Sequence, residues 1–347
     1  MANRRQQPVG KRGVTIRDVA RVAGVSSAAV SYYLNGTARL SEETGQRIGK
    51  AVRELEYRPD PLARSLSLGR RDVIGLAAMM GSRPYTDLFF AEIMAGVADA
   101  ALQIGWAVQL LPIRDDPATG LWPARVMDGV AGTLVLDWAA GYAPWKEIEE
   151  GNHPVVLVNS TRKGIPSVDV DHEEGGRVAA AHLCALGHRR IVILGASGPL
   201  EKRRVDGAAR EFRRCGIEPE VILVESSVDR AREALGHVLA RHPLKRPTAV
   251  FAVSDWIALA VIDEAGKSGV LVPFDLSIVG YDDSILAETS SPPLTTVRQP
   301  LREMGRVSVE MLQCLLKRER PASPRLAASL TMRSSTCEAK GSGRKVR

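Results

Sequence analysis

Residues 14–36, VTIRDVARVAGVSSAAVSYYLNG, constrain the fold of this chain more than any other stretch. Thr15 and Asp18 make a T-x-x-D helix start, in which the two residues satisfy each other's free backbone groups. Ile16, Val19, Ala20 and Ala23 then recur at helical spacing. Gly24 supplies a turn. Ser26 is a good N-cap for a second helix, with Ala29, Val30, Tyr33 and Leu34 as its apolar stripe. Two short helices about a Gly-bearing turn form the helix-turn-helix pattern, whose second helix enters the major groove of DNA. An ordinary αα-hairpin shares the outline. A third helical segment, over residues 41–56, follows.

Charge separates the two readings. Residues 1–71 carry a net charge of +8, residues 72–337 a net of −4 and residues 338–347 a net of +3. A basic head on a slightly acidic body is the electrostatic footprint of a DNA-binding module. A solvated basic tail explains only residues 1–13, with Arg4, Arg5, Lys11 and Arg12. Cys184, Cys215, Cys314 and Cys337 are far apart in sequence, with no C-x-x-C pair and no Cys/His cluster. Reduced thiols are expected, with no zinc site, no disulfide framework and no cofactor. No export signal or membrane-spanning apolar run is visible, which points to the cytoplasm and to no membrane partner.

From residue 72 onward, apolar β-rich runs alternate with helical patterns. Strands are expected at 73–78, 107–111, 132–136, 155–159, 191–194, 221–224, 249–253 and 277–280. Such alternation implies parallel sheets covered by helices. The region is large for one sheet, so an α/β body of two lobes is expected.

Four further segments carry a resemblance. They are LEYRPDPLARSLSLGRR at 55–71, FFAEIMAGVADAA at 89–101, VDVDHEEGGRVAAAHLCALGHRRI at 168–191 and DLSIVGYDDSILAETSSPPLTTVRQP at 275–300. In this order and spacing, behind the helix-turn-helix, they make the chain resemble the lactose-repressor (LacI/GalR) family of bacterial transcription regulators along nearly its whole length. The resemblance implies a small all-α helix-turn-helix head on a periplasmic-binding-protein-like body, with three chain crossings between lobes. These are expected near 159–161, 290–296 and 320–323. The expected organisation is a basic arm (1–13), a DNA-binding domain (14–59), a hinge (60–71), an N-lobe (about 72–160 plus 296–321), a C-lobe (about 161–290 plus 322–337) and a disordered basic tail (338–347).

The family pattern assigns base contacts to the positions of Ser27, Ala28 and Tyr32, with Ser31 beside them. Many relatives carry Arg where Tyr32 stands, and arginine reads guanine with a bidentate fork. Tyrosine cannot, and a phosphate-contacting hydroxyl is the alternative role for it. Thr15, Arg17, Ser26, Asn35 and Arg39 are expected on the DNA backbone. Gly45 and Gly49 fall inside the third helix, where each costs about 1 kcal/mol relative to alanine. Close helix packing is the only reading they offer.

Asp60 and Pro61 suit a helix start, and residues 62–66 then make scarcely two turns, too few to be stable alone. A linker whose leucines rest on the body is one reading. The resemblance implies a sharper one. Hinge helices of two subunits order on the operator, lie in the minor groove and touch each other through Leu62. Leu66 wedges between base pairs. Ala63, Arg64 and Ser65 belong to the same set.

Two-lobe folds bind ligands between the lobes, near the C-terminal ends of strands. Arg204, in KRRVDG, matches the family arginine that reaches the ligand. Ser254, Asp255 and Trp256 follow a strand, Asp282 lies in GYDD, and Asp87, Phe89 and Phe90 open a helix. Arg204 and Asp282 are expected to grip vicinal hydroxyls, with Trp256 or Phe90 stacked on a ring. Turn-capping roles for Asp255 and Asp282, a core role for Phe89 and a solvated helix start for Arg204 are the alternatives. Many relatives carry Asn where Ser254 stands. Asp137 and Trp138 are further cleft candidates.

Together these readings give a non-enzymatic, sequence-specific transcription regulator, read as a repressor. It would bind double-stranded operator DNA as a homodimer and respond to a small molecule, a sugar or sugar derivative first. A purine-like or other non-sugar corepressor is the alternative, and a solute-binding module a further one. An enzyme has only Gly195-Ala196-Ser197-Gly198 in its favour, which lacks both the dinucleotide and the P-loop spacing.

Overall fold

The computed structural model describes residues 14–35, 40–57, 72–79, 86–113, 129–136, 150, 152–224 and 228–340. The basic arm, Arg39, the hinge with Leu62, Ala63, Arg64 and Leu66, and Asp137 and Trp138 lie outside the described residues. So does 341–347. The chain divides into two compact units, residues 1–71 and 72–347.

In the head, α1 (Ile16–Ala23), α2 (Ser27–Asn35) and α3 (Glu42–Glu54) pack around Val19, Ala20, Ala23, Val30, Ile48 and Ala51. Local chemistry sets the ends. The Thr15 N–H and hydroxyl both donate to Asp18 Oδ2, at 3.0 and 2.7 Å. Gly24 stops α1 with φ 64°, a conformation that costs glycine nothing. Ser26 Oγ accepts from the Ala29 N–H at 3.2 Å and Ser41 Oγ from the Thr44 N–H at 3.3 Å. Each satisfies a free N–H at a helix start.

Among the described residues the body holds two six-stranded sheets. The first, ordered β11-β5-β4-β3-β1-β2, is made by β1 (Val73–Met79), β2 (Ala107–Ile113), β3 (Gly132–Leu136), β4 (Val155–Val158), β5 (Ser167–Val170) and β11 (Arg325–Leu326). The second, ordered β12-β10-β9-β8-β6-β7, is made by β6 (Ile191–Ala196), β7 (Glu220–Val224), β8 (Ala249–Ala252), β9 (Ser277–Asp282), β10 (Thr295–Arg298) and β12 (Ser329–Thr331). All pairings are parallel except β10 with β12. In the N-lobe, α4 (Thr86–Gln103) and α10 (Leu301–Leu316) pack on each other. In the C-lobe, α5 (His172–Ala185) packs on α6 (Pro199–Arg214), and α7 (Val228–Leu239) on α8 (Asp255–Lys267). The short α9 (Ile285–Thr289) follows β9.

The lobe crossings lie later than the sequence suggested. β5 belongs to the N-lobe sheet, and the chain crosses between Val170 and His172. β10 belongs to the C-lobe sheet, so the second crossing is at Gln299 and Pro300. The third lies between Leu326 and Ser329. The reason is that β5 (SVDV) and β10 (TTVR) are four-residue strands with polar members, invisible to an apolar-run criterion. All three crossings join the C-terminal edges of the two parallel sheets, which puts the cleft between those edges. A second correction concerns the tail. Residues 338–340 are anchored on the C-lobe, through the Ala339 N–H on Leu186 O (2.9 Å) and Lys340 Nζ on Asp275 (2.6 Å).

Candidate functional site

On the head, α2 turns Val30 inward and leaves Ser27, Ala28 and Tyr32 exposed, with Ser31 half-buried. Arg17 and Arg21 are exposed on α1, and Arg21 donates to Asp18 at 3.1 Å. The side chain of Asn35 is not among those described. Tyr33 was read as part of the apolar stripe, yet it is 40 % exposed. Its ring lies across α3. A β-carbon on Gly45 would meet that ring at 3.6 Å, and one on Gly49 would lie 2.6 Å from the Tyr33 hydroxyl. The two glycines form the shallow groove that receives the ring, which gives them the packing role the sequence left open.

In the body, the residues at the cleft edge of the C-lobe converge on Arg204. Its side chain is nearly buried, and Nη1 donates to the Val253 carbonyl at 2.7 Å. Its Nε–H points at His172 Nδ1, 3.2 Å away, and the guanidinium lies 4.0 Å over the Tyr281 ring. Asp282 Oδ1 stands 3.5 Å from Nη1, a long contact, and accepts a shorter bond from Gln299 Nε2 at 2.8 Å. The expected Arg204–Asp282 pair is thus brought together, but Arg204 is also a structural strut. The solvated-helix-start reading of this arginine is excluded by its burial.

The position of Arg204 is set by glycine. A β-carbon on Gly207 would lie 2.0 Å from the Glu173 carbonyl oxygen, and one on Gly176 would lie 2.1 Å from the Arg204 carbonyl oxygen. Backbone therefore rests on backbone where α5 meets α6, and Arg204 is held beside the first residue of α5.

Other candidates are placed differently. Asp255 is buried, and both its oxygens are committed inside the C-lobe. Oδ1 accepts from Thr296 at 2.5 Å, and Oδ2 from the Ser284 N–H and hydroxyl at 2.8 and 3.0 Å. It pins the turn after β9 to β10, so its effector-binding assignment is corrected. Ser254 caps α8, accepting from the Ile257 N–H at 3.3 Å. Trp256 is half-buried in the first turn of α8. Phe89 and Phe90 are half-buried and pack against the apolar core. The Asp87 side chain is not among those described.

Several site residues escaped the sequence reading. His172 is fully buried at the C-lobe end of the first crossing, with Nε2 3.0 Å from Asn159 Oδ1 of the N-lobe and Nδ1 3.3 Å from the Tyr281 hydroxyl. Arg203 donates to buried Asp169 of β5 at 2.7 Å, a second tie between lobes. Gln299 sits in the second crossing, and its Oε1 is buried without a hydrogen-bond partner. All lie in or near the segments that carried the family resemblance, but their chemistry is visible only in three dimensions.

Burial governs the electrostatics. Desolvation, helped by Arg204 and Arg203, holds His172 well below the usual histidine range, so it is neutral. Desolvation raises the Asp282 carboxyl to about 6, opposed chiefly by Arg204 and the Gln299 hydrogen bond. Asp255 is raised too, first by burial and then by Asp282, and opposed by its hydroxyl and N–H donors. The arrangement offers donors, acceptors and an aromatic face around a buried cation, the equipment of a polar-ligand site. Among the described residues no group of three or more His, Cys, Asp or Glu is placed to hold a metal ion, and no helix is long and apolar enough to cross a membrane.

Comparison with known proteins bears on both the head and the body. Residues 15–60 match the family model of bacterial regulatory proteins, lacI family, and residues 180–336 that of a periplasmic binding protein-like domain. The chain is 33% identical to the HTH-type transcriptional regulator DegA of Bacillus subtilis (strain 168), over 84% of this chain and 88% of that protein. It is 34% identical to the HTH-type transcriptional repressor PurR of Aliivibrio fischeri (strain ATCC 700601 / ES114), over 86% and 90%. Among solved structures, the lac repressor dimer bound to operator and the anti-inducer ONPF superposes with a TM-score of 0.81 at 28% identity, covering 94% of this chain and 100% of that one.

Proposed function

Because the chain belongs to the LacI family of bacterial regulatory proteins, a family of DNA-binding transcription regulators, we propose that it is a repressor. It acts as a homodimer on a palindromic operator and is controlled by a small molecule held between its lobes. The observation that carries the DNA half is the outer face of capped α2. Ser27, Ala28 and Tyr32 are exposed there, while Val30 anchors the helix. A two-fold protein reads a two-fold operator, hence the dimer. Without an arginine fork at Tyr32, more of the specificity falls to DNA shape and phosphate positioning.

The effector half rests on Arg204, Asp282 and Gln299. Asp282 retains about one-fifth of its side-chain surface and Gln299 Oε1 is a buried acceptor without a donor. A ligand hydroxyl satisfies both kinds of acceptor, which favours a sugar or sugar derivative. A purine-like ring is the second reading, favoured by half-buried Trp256 at the cleft edge. The hinge belongs to the same proposal, with Leu66 as the minor-groove wedge that couples the lobes to the DNA.

Gel shift on the chain's own upstream DNA, repeated with candidate sugars and purines, tests both halves. Specific retardation altered by a sugar supports the proposal. Unchanged binding by a fragment lacking residues 1–70 overturns it.

A further inference from the structure

A second concave site lies at the end of the C-lobe sheet opposite the cleft. Arg190, Thr248 and Asp275 stand just before β6, β8 and β9, at the N-terminal edge of the sheet, whereas the cleft faces its C-terminal edge. β8 spans the distance, with Thr248 before it and Val253, whose carbonyl holds Arg204, after it. With the C-terminal segment these residues line a pocket of about 330 Å³, at the small end of the range for small-molecule sites. His188 builds one wall. It is buried, with Nε2 3.1 Å from the Cys337 carbonyl oxygen and Nδ1 3.0 Å from Thr248 Oγ1, and so pins the C-terminal segment against the strand ends. Buried Leu239 and Val270 give an apolar lining, and Phe274, 65 % exposed, completes it on the solvent side.

The charges lining this pocket do not cancel. Lys340 is spent on Asp275, at 2.6 Å. Arg190 and Arg246 are paired with no carboxylate among the described residues. Each instead donates its Nε–H to a backbone carbonyl, Arg190 to that of Arg246 at 2.7 Å and Arg246 to that of Arg241 at 2.9 Å. These bonds fix both guanidiniums and leave their Nη atoms without an acceptor among the described residues. Glu338 also lines the pocket, and one carboxylate against two free arginines leaves positive charge in excess. Guanidinium forks match the geometry of carboxylates and phosphates, so an oxyanion satisfies both the excess charge and the idle donors. We propose that this pocket is a second ligand site, separate from the cleft, for a small organic oxyanion. Its carboxylate or phosphate sits on Arg190 and Arg246, and its apolar, ring-sized body lies against Leu239, Val270 and Phe274.

Calorimetric titration of the full-length chain with benzoate, phenyl phosphate and benzamide is the test. Benzoate and phenyl phosphate put the same ring on a carboxylate or a phosphate, so the tighter of the two identifies the preferred oxyanion. Uncharged benzamide controls for the ring. At least one anion should bind, with benzamide weaker by about tenfold or more, the worth of a charge-assisted hydrogen bond. An Arg190→Gln, Arg246→Gln double variant should lose the anion by at least the same factor. Glu338→Gln, at an exposed position, should bind it more tightly, because the opposing charge is gone. Absence of binding of both anions to the parent chain overturns the proposal. So does binding that benzamide matches, that survives in the double variant or that Glu338→Gln weakens.

Discussion

The guanidinium of Arg204 lies 4.0 Å over the ring of Tyr281, and the Tyr281 hydroxyl lies 3.3 Å from the histidine that Arg204 itself contacts. The arginine proposed to reach the ligand is thus also part of the architecture of the lobe. Arg204→Ala should lower effector affinity by about 1.5–3 kcal/mol and also destabilise the C-lobe, because it strips the Val253 carbonyl of its donor. Tyr281→Phe keeps the ring under the cation and should cost only about 0.5–1.5 kcal/mol of stability. Thermal unfolding of the two variants, with calorimetric ligand titration, checks the contrast. Equal stability losses would refute it.

Asp282 gives a pH prediction. Its folded-state carboxyl is raised to about 6 from an ordinary 3.8, so the stability it contributes is complete below the lower value and is lost as pH rises through the higher one. Asp282→Asn removes that loss. The variant should gain on the parent chain between pH 4 and pH 7, by up to about 3 kcal/mol. Denaturant melts of both chains at each pH measure it, and a pH-independent difference would count against the assignment.

Gly207→Ala should destabilise the body. The new β-carbon meets the Glu173 carbonyl oxygen at 2.0 Å, and backbone cannot swing aside. Overpacking of this kind costs about 1–3 kcal/mol, more than the ~1 kcal/mol of helix propensity gained. Gly266→Ala in α8, with nothing within 4 Å, should instead stabilise. Opposite signs in unfolding experiments are the expected result.

In the head, Gly45→Ala should stabilise α3 by about 0.5–1 kcal/mol, since the Tyr33 ring lies at ordinary contact distance. Gly49→Ala should evict the Tyr33 hydroxyl from its groove and yield less. Hydrogen exchange of the α3 amides in the full-length chain separates the two. A larger gain at Gly49 would show that Tyr33 does not occupy the groove.

Tyr32→Arg should shift operator preference towards guanine at one symmetric pair of positions, because arginine supplies the bidentate fork that tyrosine lacks. In vitro selection with both proteins reads this directly. An identical consensus would remove Tyr32 from the base-reading set.

The sequence by itself determined the head and the fold class. Thr15, Asp18, Gly24 and Ser26 act on neighbours three or four residues away, so their capping is local chemistry that needs no tertiary context. The apolar strands of the two sheets were legible for a related reason, since a strand buried on both faces must be apolar throughout. Only the tertiary structure decided the lobe crossings, because β5 and β10 are short, partly polar and defined by partners elsewhere in the chain. It also decided which carboxylate is buried and which stays partly exposed. Asp255 and Asp282 look alike in sequence, yet Ser284 and Thr296 consume one while Gln299 and Arg204 flank the other. Gly45 and Gly49 read as defects until Tyr33 is seen across them. Arg204 finds its partners 32, 49 and 78 residues away, in His172, Val253 and Asp282, and no local pattern encodes contacts that only folding brings together.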